Sequence, residues 1–242
     1  MEKCITNNPN AVQQSEIIAA DNLLNRDKLI LYHGTKEDNL IPRFGFDNNN
    51  NDYGKGFYTT PEEELGKEWA YALYTRGDKG YLYEYELDVS RLKILNLTQL
   101  DSLHWLAELI TYRELNTDDR EALSDTVDQV KKKYKLDTSE YDIIVGYRAD
   151  DSYFTYAEDF IGGAIYRDTF DTALRNGNLG LQVFIKSEQA FSLLKKIKGP
   201  VPVPEKYRDF YLKRDRNARE KYIRDKQNQS SSRLKQRIYE FL

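Results

Sequence analysis

The sequence predicts an α+β fold, and three observations support that prediction. Short apolar or alternating segments, typical of β-strands, are interrupted by segments with helical periodicity. Their irregular order differs from the strict strand–helix alternation of a doubly wound fold. Of the 242 residues, 40% are hydrophobic and 31% are charged, which is enough apolar material for one substantial core.

Six segments are expected to form strands. Residues 28–33 are a short apolar run, and 57–60 combine aromatic and β-branched side chains. Residues 81–88 alternate so that the tyrosines share one face, which predicts a half-buried strand. The other expected strands are 92–97, 141–146 and 179–187.

The helices are expected between these strands. Thr60 and Pro61, followed by three glutamates, are typical of a helix start, and this helix would bury Leu65 and Trp69 on one stripe. The further expected helices are two within 99–136, two within 154–174, and one at 188–196.

The charge is divided between two parts of the chain. Residues 205–242 hold 12 basic and 6 acidic side chains, whereas the whole chain holds 36 basic and 40 acidic ones. Alternating prolines favour an extended spacer at 199–205. We therefore expect an N-terminal segment 1–26, a domain 27–198, the spacer, and a basic helical tail 206–242. The tail could bind nucleic acid, dock a partner through its aromatic face, or pack on the acidic body.

The composition excludes several classes of protein. With Cys4 as the only cysteine and His33 and His104 as the only histidines, a zinc site of the usual kind is excluded, and no metal is expected. There is no GxSxG elbow, no glycine-rich phosphate loop and no apolar run near the roughly 20 residues of a membrane helix. A soluble cytoplasmic protein without membrane contact is expected.

Three groups of residues could carry chemistry. His33 ends an apolar strand and precedes Gly34, a small residue that lets a ligand approach the backbone, although a half-exposed histidine before a turn fits equally. Tyr58 follows Gly54-Lys55-Gly56 at the start of a strand. Arg148, Asp150 and Asp151 follow the strand 141–146, where they could contact a ligand or form ion pairs and helix caps among themselves.

These motifs together resemble the ADP-ribosyltransferase superfamily, in its poly(ADP-ribose) polymerase and diphtheria-toxin branch. LYHGT (31–35) is similar to its His-Gly-Ser/Thr motif, and GKGFYTT (54–60) to its Gly-x-Gly-x-Tyr motif. LQVFIK (181–186) resembles the strand that carries the catalytic glutamate, with Gln182 in the glutamate's place. The chain also resembles a bacterial family of uncharacterised domains, some of them in toxin–antitoxin-like pairs, over roughly 28–196.

The resemblance implies a split, strongly bent antiparallel β core flanked by helices, and NAD as a substrate. It implies that His33 binds the adenosine ribose, that Tyr58 stacks on nicotinamide, and that Gln182 holds the ribose 2′-hydroxyl. It further implies contacts to NAD from Gly34, Thr35, Gly56 and Trp69. Trp69 would be a second aromatic clamp, although its helical stripe also fits a core position.

The implied activity is transfer of a single ADP-ribose to a macromolecule, either protein or nucleic acid. A cognate antitoxin is an implied partner. Gln182 supplies no negative charge to the oxocarbenium-like transition state, so a degenerate NAD or ADP-ribose binding module and an NAD glycohydrolase are the alternatives. A lesser alternative is an RNA 2′-phosphotransferase, which would need arginines such as Arg43 and Arg148.

Overall fold

The structure is a computed structural model of the chain. It describes residues 24–45, 51–72, 79–115, 120–149, 151–174, 180–229 and 235–242. Residues 1–23 of the expected N-terminal segment 1–26, and Asp150, therefore lie outside the described residues.

Two sheets form the centre of an α+β fold, as the sequence predicts. The first sheet is antiparallel and has the order β1–β3–β7, with β1 (Lys28–Thr35), β3 (Gly80–Asp88) and β7 (Leu194–Val203). The second has the order β2–β6–β5–β4, with β2 (Phe57–Thr59), β6 (Leu181–Ile185), β5 (Ile143–Tyr147) and β4 (Ile94–Asn96). Its pairings are antiparallel except that β4 and β5 run parallel.

Seven α-helices flank the sheets within the described ranges. In chain order they are α1 (Glu63–Trp69), α2 (Ser102–Tyr112), α3 (Arg120–Tyr134), α4 (Asp151–Ile161), α5 (Arg167–Ala173), α6 (Glu188–Leu193) and α7 (Lys206–Gln227). Short 3₁₀ turns lie at Leu97–Gln99 and Ile238–Phe241. In this described part of the chain, no helix has the length and apolarity to cross a membrane.

The two sheets pack face to face over one apolar cluster, because alternate strand residues point to opposite faces. Leu31 and Tyr85 of the first sheet meet Val183 and Ile185 of the second in this cluster. The outer face of the second sheet packs on α2–α5 in a larger cluster that includes Phe184. The outer face of the first sheet packs on α1 and α7. The fold therefore has four layers in space: α1 and α7, the first sheet, the second sheet, and helices α2–α5.

Tyr32 joins the two sheets at one point. Its N–H donates to the Thr60 carbonyl at 2.7 Å, and its carbonyl accepts from the Thr60 N–H at 2.9 Å. This pairing requires an extended Thr60, so the prediction of a helix start there was wrong by two residues. Helix α1 begins at Glu63, and the Thr60 hydroxyl accepts from the Glu62 N–H. Leu65 is buried as expected, but Trp69 is only half-buried.

The proline-rich segment also differs from the expectation of a spacer. It is extended as predicted, but residues up to Val203 belong to β7 and pair with β3. Pro200 and Pro202 are tolerated because β7 is the outermost strand of its sheet, where a missing N–H leaves no neighbour unpaired. Because β7 begins at Leu194, the helix expected at 188–196 ends earlier, at Leu193.

The basic tail packs on the body through α7, which is one of its three expected arrangements. The helical spacing of Tyr207, Tyr211, Ala218 and Tyr222 predicts one shared face; Tyr207, Ala218 and Tyr222 are buried, whereas Tyr211 is only half-buried. The Tyr222 hydroxyl donates to Asp159 of α4 at 2.5 Å, and Lys226 forms an ion pair with the same carboxylate at 2.6 Å. At the other end, the Tyr207 hydroxyl donates to Glu64 of α1 at 2.8 Å. Helix α7 thus connects helices from both outer layers.

Candidate functional site

A cavity of about 510 Å³ opens beside the end of β1 and the start of β2. Its walls come from these strands, from the loop after β1 and from α6. The lining residues are His33, Thr35, Glu37, Asn39, Leu40, Ile41, Pro42, Arg43, Gly56, Phe57, Tyr58 and Phe191. The volume lies in the ordinary range of small-molecule sites.

His33 is held in one tautomer at this cavity. Its Nδ1 lies 2.7 Å from the Tyr58 backbone carbonyl. A carbonyl can only accept, so Nδ1 carries the proton and Nε2 is left as an acceptor. Burial lowers the pKa of His33 from 6.5 to about 4, so the ring is neutral at pH 7. Its ring also packs on Phe57, with the centroids 4.7 Å apart.

Gly34 presents its backbone on the side of β1 that faces β2. Tyr32 uses its N–H and carbonyl towards Thr60, so it forms a non-hydrogen-bonded pair with Glu84 of β3. Pairing alternates along an antiparallel ladder, so the N–H and carbonyl of Gly34 point the same way as those of Tyr32. A ligand could take these groups as a donor and an acceptor.

Gly34 also needs to be a glycine for packing. A Cβ atom there would lie 1.9 Å from the Gly66 carbonyl oxygen and 2.5 Å from the Ala70 nitrogen, both in α1 or at its end. Gly56 is equally crowded, because its Cβ would lie 2.3 Å from the Phe184 ring. The two glycines of the sequence motifs therefore allow close packing at both margins of the cavity.

Tyr58 is fixed by the loop that precedes it. Its hydroxyl donates to the Gly54 carbonyl at 2.6 Å and accepts from the Tyr53 N–H at 3.0 Å. Its ring packs on Phe184, with the centroids 4.7 Å apart. The Tyr58 ring is half-buried on the helix side of the second sheet, and its hydroxyl is used within the loop. Tyr58 therefore meets His33 through its backbone carbonyl, while its ring packs with Phe184.

Thr35 lies at the end of β1 and lines the same cavity. Its hydroxyl oxygen accepts from the Glu37 N–H at 3.2 Å, which starts the turn after the strand. The hydroxyl proton is still available to a ligand in the cavity.

Gln182 is not among the residues that line the cavity. It lies on β6 on the face of Phe184, towards the helices, whereas His33 lies on the face between the sheets. Its side chain is 5% exposed, and Oε1 has no hydrogen-bond partner among the described residues. The structure thus brings the His33 ring to the backbone of Tyr58, and it places Gln182 with the Tyr58 ring on the helix side of the second sheet.

Trp69 lies outside the three apolar clusters. The guanidinium of Arg148 sits 4.6 Å from the centre of its ring, in cation–π geometry. The indole Nε1 of Trp69 is buried and, within the described part of the chain, has no acceptor. Because Trp69 belongs to none of the apolar clusters, it does not take the core position that its helical spacing allowed. It is also not among the residues that line the cavity.

The acidic pair after β5 is only partly described. Asp151 begins α4, its side chain is outside the described part, and Asp150 lies outside it altogether. Arg148 lies beside Trp69, and the cavity lining does not include it. No group of three or more potential metal ligands occurs among the described residues.

Asp52 is a buried carboxylate that the sequence did not indicate. It accepts from the Ala149 N–H at 2.8 Å and from Arg113 at 3.1 Å. Burial raises its pKa from 3.8 to about 6, against the opposing effect of Arg113. These bonds anchor the loop that leads to Tyr58 onto the end of β5. Its partners are distant in sequence and the surrounding stretch is asparagine-rich, so composition gives no signal for this role.

Comparison with known proteins identifies a family and nothing more. Residues 29–196 match the model of a family described as protein of unknown function (DUF3990). That match covers more than half of the chain, so the chain belongs to this family. No curated protein and no solved structure matches it.

Proposed function

We propose that this member of the DUF3990 family is an NAD-dependent mono-ADP-ribosyltransferase. The observation that carries the proposal is His33, a neutral imidazole whose Nδ1 is occupied by the Tyr58 carbonyl and whose Nε2 is an acceptor at a cavity of ligand size. An acceptor of this kind suits a ribose hydroxyl, which is a donor.

The groups near the cavity suit the two ends of NAD. His33 would accept a hydrogen bond from the adenosine ribose, and the Thr35 hydroxyl would bind a ribose oxygen. The N–H and carbonyl on the open side of Gly34 would pair with a carboxamide, which needs one acceptor and one donor. The ring of Tyr58 would contact the flat nicotinamide from the helix side of the second sheet, on the face that also carries Gln182.

The chemistry needs positioning more than it needs a nucleophilic side chain. When bound, NAD supplies a glycosidic bond whose electron pair leaves with nicotinamide, while an acceptor nucleophile bonds to the ribose carbon and loses its proton. His33 and Gly34 would hold the two ends so that this bond is exposed to the acceptor. Among the residues that line the cavity, Glu37 is the acidic one, and its side chain is exposed to solvent.

A second function is favoured by Gln182. A neutral amide cannot stabilise the positive charge that develops on the ribose as a carboxylate does. Gln182 also lies on the opposite face of the second sheet from His33. These observations favour a module that binds NAD or ADP-ribose without transferring it, or one that hydrolyses NAD slowly.

The test uses the full chain with NAD labelled in the adenine ring and, separately, in nicotinamide. Transfer predicts nicotinamide release together with label on a macromolecule, whereas hydrolysis predicts release without such label. His33→Ala should abolish both, and His104→Ala is the matched control. His104 is the other histidine, and its Nδ1 bonds the Tyr134 carbonyl away from the cavity. If the wild-type chain neither binds NAD nor turns it over, both proposed functions are overturned.

The setting of this activity is also part of the proposal. We propose that the protein acts in the cytoplasm, on a protein or nucleic acid acceptor, as a toxin or defence effector held in check by a cognate antitoxin. Co-expression toxicity that depends on His33 would support this setting, and a harmless wild-type protein would contradict it.

A further inference from the structure

One wall of the cavity is a loop without regular secondary structure. Residues 36–43 follow β1, and six of the seven residues from 37 to 43 line the cavity, Leu40 and Arg43 among them. Leu40 packs its side chain on the cluster between the sheets. The shape of the cavity therefore depends on what fixes the backbone of this loop.

Tyr83 supplies that fixation through one hydroxyl group. The hydroxyl donates to the Glu37 carbonyl at 3.0 Å and accepts from the Leu40 N–H at 3.0 Å. These two backbone groups are the first and fourth of a four-residue turn, which often bond each other directly. Here the phenol oxygen stands between them and closes the turn.

The position of Tyr83 is itself closely determined. It is fully buried and is the direct partner of His33 in the pairing of β1 with β3. Gly199 of β7 packs on it so closely that a Cβ on the glycine would lie 2.8 Å from the Tyr83 ring. The residue paired with His33 thus also bonds the loop wall of the cavity, so one side chain connects the strand next to His33 with that wall.

We propose that Tyr83 is a positioning residue that keeps the cavity formed before its ligand binds. This inference rests on the proposed function for the identity of the ligand, NAD. Without the hydroxyl, binding would have to order residues 37–40, and that cost would appear in ligand affinity. The bond-breaking step would be unaffected, because Tyr83 is not among the residues that line the cavity.

Tyr85 gives a matched control. It lies two residues further along β3 on the same face and is 1% exposed. Its hydroxyl is buried and has no partner among the described residues. Tyr83→Phe and Tyr85→Phe therefore each remove a hydroxyl from a tyrosine of the same apolar cluster, but only the first removes bonds to the loop.

The experiment combines hydrogen exchange with steady-state kinetics. In the wild-type chain the Leu40 amide should be protected, and Tyr83→Phe should accelerate its exchange at least tenfold, with no change in Tyr85→Phe. Tyr83→Phe should raise KM for NAD about tenfold, with kcat within twofold of the wild type. Melting temperatures of both variants check that each is folded.

The outcomes separate this inference from the proposed function. An unprotected Leu40 amide in the wild type, or equal exchange in both variants, overturns the positioning role and needs no NAD. Accelerated exchange in a chain that neither binds nor consumes NAD supports the role of Tyr83 in the loop and overturns NAD as the ligand. A fall in kcat at constant KM would also overturn the inference, because it would place Tyr83 in the chemical step.

Discussion

Arg214 of α7 and Glu68 of α1 form a two-point ion pair. Arginine Nε lies 2.7 Å from Oε2 of the carboxylate, and Nη2 lies 2.7 Å from Oε1. The Glu68 side chain is 6% exposed, so its carboxylate is largely buried away from water. Glu68 directly precedes Trp69, and α1 packs on Gly34. A helix outside the family match thus supports the helix behind the candidate site.

We expect Arg214→Ala to lower the free energy of unfolding by about 3 kcal/mol, because it leaves a buried carboxylate without its partner. Arg219→Ala is the control, since its ion pair with Asp215 lies within α7 and is more exposed, and it should cost about 0.5 kcal/mol. Urea unfolding of both variants measures the difference. Equal losses would mean that the pair to Glu68 adds nothing beyond an ordinary surface contact.

Regular elements could be predicted where one side-chain period dominates the sequence. The alternation at 81–88 predicted β3, which spans Gly80–Asp88, and the helical spacing of Tyr207, Ala218 and Tyr222 predicted the buried face of α7. Strand β7 was missed because its prolines suggested a spacer. Only the order of the sheet shows that β7 is an edge strand, where proline is tolerated.

The candidate site was predictable only as far as local motifs reach. The sequence placed His33 and Tyr58 at the ends of two strands, and the structure brings them to one cavity. It could not show that the hydroxyl of Tyr58 is used by its own loop, nor that Tyr83 bonds a turn more than 40 residues away. Such contacts depend on tertiary structure and leave no periodic pattern.

The close approach of α1 to β1 leads to a prediction at Gly34. Gly34→Ala should destabilise the protein by at least about 3 kcal/mol, because the new methyl group meets rigid backbone rather than a movable side chain. Gly45→Ala should cost about 1 kcal/mol, since that residue has a φ of +76° but open space around it. Thermal and urea unfolding compare the two. A Gly34→Ala variant no less stable than Gly45→Ala would show that α1 can move away.

The buried histidine predicts a particular pH dependence. The folded pKa of His33, about 4, lies below the unfolded value of 6.5, so the unfolded chain binds more protons between these values. His33 should therefore make the protein less stable as the pH falls from 6.5 towards 4, and His33→Asn should remove this part of the slope. NMR of the imidazole nitrogens should show a neutral ring protonated at Nδ1 at pH 7. A ring that titrates near 6.5 would contradict this prediction.

The amide oxygen of Gln182, which has no partner among the described residues, leads to opposite expectations for two substitutions. Gln182→Leu keeps the approximate shape and removes an oxygen without a partner, so stability should stay within about 1 kcal/mol of the wild type. Gln182→Glu places a carboxyl group in a buried position, where burial raises its pKa. Its destabilising effect should be absent at low pH and should grow as the pH rises through that raised pKa, because the folded state then has to hold the charge.

The same pair tests whether Gln182 lies at a reacting centre. If it occupies the place of a catalytic carboxylate, Gln182→Glu should increase nicotinamide release from NAD above the wild-type rate, and Gln182→Leu should not. The release rates are compared at a pH at which the introduced carboxyl group is ionised, as judged from its effect on stability. An unchanged rate in a folded Gln182→Glu variant would separate Gln182 from the chemistry. The position of Gln182 on the helix side of the second sheet would then be a feature of packing alone.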